Sequence, residues 1–262
     1  MHPDCKQIRR NILMASKASG HGHIPTSFSI VEMIYATYRA MKHNPAEPAW
    51  AERDIFILSK GHGALGYYCV LANAGYFPVE EVKTFGAYLS RFGCHPDRRK
   101  VPGVEASTGS LGHGIGIAVG MALAFKLRNS PRRVFTLIGD GEANEGSTWE
   151  AIMVAVNLGL PNLTILVDFN KSQVRSLPIQ NPGERLKAFG CEVHDVDGHD
   201  VPELASALQA SARGVKAIVA NTVKGFGCPT MEENMFEWHR KSPDERQYDE
   251  LLRELDARSV AA

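Results

Sequence analysis

A glycine-flanked aspartate is the first segment of the sequence whose residue types could do chemistry. Gly139, Asp140 and Gly141 follow a short apolar run and precede a helical pattern that starts near Ser147. A carboxylate at a strand end can bind a hard cation, and amide N–H groups of the turn and of the next helix can bind phosphate oxygens. A plain tight turn with a helix-capping aspartate has the same residues, so this segment alone leaves both interpretations open.

A second polar strand end comes thirty residues later. Asn170 follows the apolar run 163–167 and Asp168, and one helix with one return strand fills the interval from Asp140. The carboxyl ends of parallel strands lie at one edge of a sheet, so these two ends should be neighbours. Asp140 and Asn170 can therefore offer two oxygens to one Mg²⁺, whose other ligands would be a backbone carbonyl, diphosphate oxygens and water.

The elements that must position these residues are predicted by apolar runs that alternate with helical patterns. The runs predict strands at 54–58, 133–138, 163–167 and 215–220. Helical spacing predicts helices at 4–19, 29–41 (with Ser29 as N-cap), 61–74, 113–128, 147–158, 200–212 and 243–255. This alternation predicts an α/β fold, a mostly parallel sheet with helices on both faces. No interior linker divides the chain, so we expect one domain over residues 1–262.

Composition excludes several classes of function. The chain has 262 residues, 44% of them hydrophobic, with 29 basic and 29 acidic side chains. This balance favours neither nucleic acid nor an anionic membrane as a partner. We find neither a signal peptide nor a spanning apolar stretch, and the five scattered cysteines predict free thiols. We therefore expect a cytoplasmic protein.

Several further motifs resemble those of transketolase and stand in the same order. They are more similar to the motifs of split, two-subunit transketolases than to those of the long single-chain enzymes. The resemblance covers about residues 10–240 and adds these segments to the Gly-Asp-Gly and asparagine pair: 22–24 (Gly-His-Ile), 42–45 (Lys-His-Asn-Pro), 54–63, 94–96 (Cys-His-Pro), 108–114 (Thr-Gly-Ser-Leu-Gly-His-Gly) and 197–200 (Asp-Gly-His-Asp). It implies the thiamine diphosphate-binding domain of that family, with thiamine diphosphate and Mg²⁺ (or Ca²⁺ or Mn²⁺) as cofactors.

The resemblance also implies roles for individual residues. As metal ligands it implies Asp140, Asn170 and the carbonyl of Ser172. As cofactor-binding residues it implies His62, Gly109, Leu111, Gly141, Glu142, Asn170 and His239. As catalytic residues it implies His23, His62, His95, Glu145 and His239. His21 is an alternative to His23, whereas His194 and His199 are expected to be structural and His113 is left open between the two kinds of role.

The implied reaction is transfer of a two-carbon ketol unit from a ketose, or ketose phosphate, to an aldose acceptor. A family enzyme also needs a pyrimidine-binding domain and a C-terminal domain, which we expect on a separate C-terminal subunit, giving a heterotetramer. Substrates would be sugars or sugar phosphates.

Three alternatives remain. Gly112 to Gly116 with Asp140 imitates a dinucleotide-binding unit, but the segment 98–105 before it is too charged for a first strand. The chain could be half of another thiamine diphosphate enzyme, similar to 1-deoxyxylulose-phosphate synthase or to the first component of a 2-oxo acid dehydrogenase. It could also be a non-catalytic scaffold.

Overall fold

The central element is a five-stranded, wholly parallel sheet in a computed structural model that describes residues 1–259. The strand order is β1-β2-β3-β5-β4. The strands are β1 Ile55–Leu58, β2 Val134–Gly139, β3 Leu163–Phe169, β4 Glu192–Asp197 and β5 Lys216–Asn221. The predicted α/β class and parallel sheet are confirmed.

The helices lie before, between and after these strands. They are α1 Pro3–Ser19, α2 Ile24–Ser29, α3 Val31–Ala40, α4 Ala64–Asn73, α5 Gly114–Leu127, α6 Gly146–Asn157, α7 Pro182–Ala188, α8 Val201–Gln209, α9 Pro229–Glu233 and α10 Glu245–Ala257. Short 3₁₀ turns occupy Gly61–Gly63, Val79–Thr84, Glu142–Asn144 and Glu237–Arg240.

Side chains of the central strands alternate between two apolar layers. Phe56 and Leu58 of β1 belong to the layer that α1 to α4, α8 and α10 cover. Ile55 and Ile57 belong to the opposite layer, under α5, α6 and α7. A strand buried on both faces needs apolar residues at every position, which is why these strands read as continuous apolar runs.

Several local features differ from the sequence-based expectation, among them the short helices α7 and α9, which were not predicted. Strand β4 escaped prediction because its sequence alternates polar and apolar residues and it lies at the sheet edge, half exposed. Ser29 is not an N-cap: it ends α2, and its hydroxyl donates hydrogen bonds to the Thr26 carbonyl and to Asp168. The predicted 61–74 helix is a 3₁₀ turn followed by α4.

The sheet register brings the polar strand ends together. Gly139 of β2 lies opposite Asp168 of β3, and the Asp140 N–H donates to the Asp168 carbonyl over 3.2 Å. The segments that follow β1 and β5 begin at the same carboxyl edge of the sheet, so Lys60 and Lys224 also lie there.

Candidate active site

A cavity of about 320 Å³ lies at the carboxyl edge of the sheet. It collects every site residue predicted from the sequence except Glu145, together with five that were not predicted: Thr26, Lys60, Gln173, Lys224 and Arg240. A larger groove of about 820 Å³ lies beside it, along β4 and α8. Two carboxylates of that groove already accept hydrogen bonds from its own backbone, Asp197 from the His199 N–H and Asp200 from the Glu203 N–H.

The predicted metal ligands converge on one residue. Asp140 Oδ1 accepts a hydrogen bond from Ser172 Oγ at 2.7 Å, and Asn170 Oδ1 accepts one from the Ser172 N–H at 3.0 Å. Asp140 and Asn170 are buried. The other carboxylate oxygen of Asp140, Oδ2, accepts no hydrogen bond from any residue between 1 and 259. Both side chains therefore contact Ser172, and within residues 1–259 Asp140 Oδ2 has no hydrogen-bond donor.

A buried ion pair lies directly behind these ligands. Lys60 Nζ lies 2.5 Å from Asp168 Oδ2, and both side chains are almost fully buried. Asp168 also accepts hydrogen bonds from Asn170 Nδ2, Ser29 and Thr222. Burial opposes ionisation of Asp168, but the Lys60 ammonium and these hydrogen bonds outweigh it and hold its pKa below the usual value. This carboxylate thereby fixes the amide of Asn170.

Glu142 joins three segments of the cavity wall. Its Oε1 accepts hydrogen bonds from Ser59 Oγ at 2.5 Å and from the Gly112 N–H at 2.9 Å, and its Oε2 accepts one from the Gly139 N–H at 3.3 Å. Burial raises the pKa of this carboxyl above its usual value. Its observed contacts hold the strand end and two loops in place.

Two glycines allow the backbone to close the site. A Cβ on Gly61 would lie 2.8 Å from the Gly109 nitrogen. Gly109 has a φ of +156°, and a Cβ there would lie 3.1 Å from the ring of His95. Side chains at these positions would fill the space between the loop of Gly109 and the loop of His62.

Three histidines form a cluster in the cavity. The His23 ring lies edge-on to those of His62 and His239, with centroids 5.5 Å and 5.1 Å away. Burial, chiefly, lowers the pKa of all three, with neighbouring cations adding to it: to about 2 for His62 and about 4 for His239. At neutral pH the cluster is therefore uncharged.

Comparison with known proteins agrees with this geometry. The family model "Transketolase, thiamine diphosphate binding domain" matches residues 5–241. The chain belongs to the transketolase family. One of the two apulose-4-phosphate transketolase subunits of Actinobacillus succinogenes is 40% identical over 259 residues, which cover 95% of this chain and 94% of that protein. A 6-deoxy-6-sulfo-D-fructose transketolase subunit of a Clostridium species is 38% identical, covering 91% and 90%.

Solved transketolases have the same fold. The transketolase of Pichia stipitis in complex with sedoheptulose 7-phosphate superposes with a TM-score of 0.86 at 28% identity, covering 95% of this chain and 39% of that one. The Campylobacter jejuni enzyme gives 0.85 at 26%, covering 98% and 43%. The chain thus spans about two-fifths of these longer transketolases. The prediction of a transketolase-family chain of the N-terminal, thiamine diphosphate-binding kind is confirmed.

The remaining predicted residues of this transketolase-family chain lie outside the cavity. Glu145 is exposed just before α6. His21 packs against Phe85 and the Gly86 backbone, so the structure puts His23 in the cavity and His21 beside it. His113 is exposed at the start of α5.

Two other histidines lie towards β4. His199 accepts a hydrogen bond from the Val223 N–H and contacts Glu32, and His194 is half-buried on β4 itself. Neither of them lines the cavity.

Sequence reasoning missed the two cavity lysines. An isolated lysine usually belongs to a solvated surface, so neither stood out. A usable signal was present, because each precedes a glycine in a loop after a buried strand: Lys60 before Gly61, and Lys224 before Gly225. Both side chains are less than 5% exposed.

Two features are absent from the described residues. No helix within 1–259 is long and apolar enough to cross a membrane. In the same range, no group of three His, Cys, Asp or Glu side chains is arranged to hold a metal ion.

Proposed function

We propose that this chain is the N-terminal subunit of a two-subunit transketolase that moves a two-carbon ketol unit from a ketose or ketose phosphate to an aldose acceptor. The observation that carries the proposal is the convergence of Asp140 and Asn170 on Ser172, beside uncharged histidines, in a chain of this family.

The donor set fits a divalent cation with coordination positions left for phosphate. Asp140 contributes a carboxylate oxygen, Asn170 an amide oxygen, and Ser172 a backbone carbonyl, all hard oxygen donors of the kind that Mg²⁺ binds. Mg²⁺ is our choice, with Ca²⁺ and Mn²⁺ as substitutes. Because Asn170 Nδ2 donates a hydrogen bond to Asp168, the amide oxygen of Asn170 is the atom that would bind the metal.

The walls of the cavity fit thiamine diphosphate. Lys60 and Lys224 would supply positive charge for a diphosphate, with His62 as a hydrogen-bond donor and with His239 and Gly141 beside it. Gly109 and Leu111 would contact the rings, and Glu142 would hold the wall to which they belong. The bound coenzyme supplies a thiazolium that stabilises the carbanion formed in ketol transfer.

The histidines of this chain would handle the protons of the sugar. At neutral pH the imidazoles of His23, His62 and His239 each have one N–H and one bare nitrogen, so each can donate one hydrogen bond and accept another. His23, His62 and His239 surround the interior of the cavity, whereas His95 is exposed at its mouth. We assign hydroxyl and carbonyl contacts near the reacting carbon to this set.

A C-terminal subunit is the proposed partner. The two subunit relatives are matched over at least 90% of their length, but the solved single-chain enzymes over only 39% and 43%. Two α5 and two α6 side chains are large, apolar and exposed: Ile117, Leu127, Met153 and Val154. We propose that they contribute to the partner interface. Helix α5 begins three residues after Leu111 of the cavity, so a partner seated here would reach the site.

The assembly we propose is a heterotetramer in which Glu145, exposed before α6, lies at a subunit contact. All five cysteines are free thiols, which supports a cytoplasmic location.

The substrate is proposed only as a class. The names of the two subunit relatives specify one sugar with a phosphate and one with a sulfo group. Arg240 is exposed at the cavity mouth and can pair with such an anion. We therefore propose a sugar or sugar phosphate and leave the carbon skeleton open.

Reconstitution tests the proposal. The chain is expressed with and without the matching C-terminal transketolase subunit, then assayed with a ketose donor and an aldose acceptor. We expect ketol transfer by the pair and calorimetric uptake of thiamine diphosphate that depends on Mg²⁺. The Asp140→Asn variant should lose that uptake, whereas Asp249→Asn, an exposed change on α10, should keep it.

Each contrary outcome has its own meaning. Turnover of pyruvate in place of a ketose would favour a 1-deoxyxylulose-phosphate synthase or a 2-oxo acid dehydrogenase. A stable but inert complex would favour a scaffold. Full activity of the chain alone would refute the two-subunit proposal.

A further inference from the structure

Two atoms of His239 make hydrogen bonds in the cavity. Each bond determines which nitrogen of an imidazole ring carries the hydrogen. Its main-chain carbonyl oxygen lies 2.8 Å from Nδ1 of His23. Its own ring nitrogen Nδ1 lies 3.0 Å from Nζ of Lys224. All three side chains line the cavity.

The first contact fixes the tautomer of His23. A carbonyl oxygen can only accept a hydrogen bond, so Nδ1 of His23 must carry the hydrogen. Because burial lowers the pKa of this imidazole, the ring is neutral at pH 7 and has a single N–H. Its other nitrogen, Nε2, is therefore bare and can accept a proton.

The second contact fixes the opposite tautomer on His239. A lysine ammonium has three N–H donors and no acceptor, so Nδ1 of His239 must be bare. The hydrogen of the neutral ring then lies on Nε2, which can donate. Lys224 is buried in the loop between β5 and α9, and it cannot swing into solvent without losing its packing.

The charges around the pair favour this arrangement. Lys224, Lys60, Arg240 and His23 all lie near His239 and disfavour a second proton on its ring. Burial and the neighbouring Lys60 lower the pKa of Lys224 to about 8, with Asp140 and Asp168 acting in the opposite direction. Lys224 is thus mainly protonated, and a donor, at neutral pH.

We propose that Lys224 is a positioning residue that keeps His239 in the Nε2–H form, so that two adjacent histidines face the substrate with opposite polarity. His23 Nε2 accepts the proton of a substrate hydroxyl. His239 Nε2–H donates a hydrogen bond to a carbonyl or developing alkoxide oxygen and keeps its proton. The catalytic part rests on the proposed function, whereas the tautomers themselves do not.

Nitrogen NMR of the full-length chain, labelled with ¹⁵N-histidine, tests the tautomers without any assay of activity. His239→Gln and His23→Gln variants assign the signals. In the unmodified chain at pH 7 we expect protonated Nε2 and bare Nδ1 for His239, and the reverse for His23. A protonated Nδ1 on His239 would overturn the proposal.

Two substitutions at position 224 then test the cause. Lys224→Met should give a mixture of His239 tautomers and raise the pKa of His239 above about 4, because a neighbouring cation is removed, while Lys224→Arg should keep the original signals. Unchanged His239 signals in Lys224→Met would also overturn the proposal. The arginine variant and the unmodified chain keep the test valid if the methionine variant does not fold.

Kinetics of the reconstituted pair add the catalytic test. Lys224→Met should lower kcat about 100-fold with a KM for the sugar within a few-fold, and Lys224→Arg should restore most of it. Coenzyme affinity, measured in parallel, separates this effect from loss of diphosphate binding. If the NMR results are as expected but the unmodified pair shows no ketol transfer, the proposed function alone is refuted. Expected NMR results with kcat unchanged in Lys224→Met would refute the positioning role.

Discussion

The floor of the cavity, formed by Lys60 and Glu142 with Asp168 directly behind them, is buried and hydrogen-bonded, whereas the rim, formed by His95 and Arg240, is exposed. Floor residues contact one another and the strand ends. The rim residues project from loops. In the proposed function, the floor would position the metal and the coenzyme, and the rim would contact the sugar and the partner subunit. Substitutions in the floor should therefore cost stability, and those in the rim should change selectivity.

The largest effect is expected from breaking the ion pair of the floor. Asp168→Ala leaves the Lys60 ammonium buried without its partner, and such a loss costs about 3–5 kcal/mol. Urea denaturation measures the free energy of unfolding. Asp249→Ala, on the exposed face of α10, is the control.

A double substitution sharpens this first prediction. Lys60→Met combined with Asp168→Leu removes both charges and should cost less than Asp168→Ala alone, because no uncompensated charge remains. A double variant as unstable as the single one would contradict the role given to the ion pair.

The next largest effect is expected at the proposed metal ligand Asp140. Asp140→Asn keeps the shape but removes the charge, and should weaken Mg²⁺-dependent uptake of thiamine diphosphate by about 100-fold or more. Calorimetry on the two-subunit complex measures this. The free energy of unfolding should stay within about 1 kcal/mol of the parent, because the Asp140 side chain is not part of the ion pair.

A smaller effect concerns pH. The pKa of His62 is about 2 in the folded chain and near 6.5 in the unfolded chain. Between these values the unfolded chain binds one proton more, so acidification below pH 6.5 lowers the free energy of unfolding.

Removing that imidazole should remove its share of the acid sensitivity. From pH 6.5 to 5, the parent chain should lose roughly 1.5 kcal/mol more than His62→Gln does. Urea titrations at the two pH values give the comparison, with His194→Gln on β4 as control. An equal loss in parent and His62→Gln would show that the imidazole is not buried as described.

The smallest effect belongs to the rim. Arg240→Ala should raise KM for a sugar phosphate about two- to fivefold, as expected for an exposed ion pair, and leave KM for an unphosphorylated sugar unchanged. Coenzyme affinity should not move. Steady-state kinetics of the pair measure KM for both kinds of sugar, with Arg246→Ala on α10 as control.

The sequence predicted the floor and the rim unequally well. Buried strands are apolar at every position, so the runs before Asp140 and Asn170 stood out, and glycines and histidines marked the loops after them. Lys60 and Lys224 did not stand out, because only the folded sheet reveals that their side chains are enclosed. Which ring nitrogen of His23 carries the hydrogen depends on a partner 216 residues away along the chain, the main-chain carbonyl of His239.

Strand β4 has a consequence for how copies of the molecule meet. It is the outermost strand beyond β5, and Asp195 and Asp197 are exposed along it. A second sheet adding to this border would bring like charges face to face, which disfavours edge-to-edge aggregation. Crowded solutions of the protein should thus resist fibre-like stacking through this border.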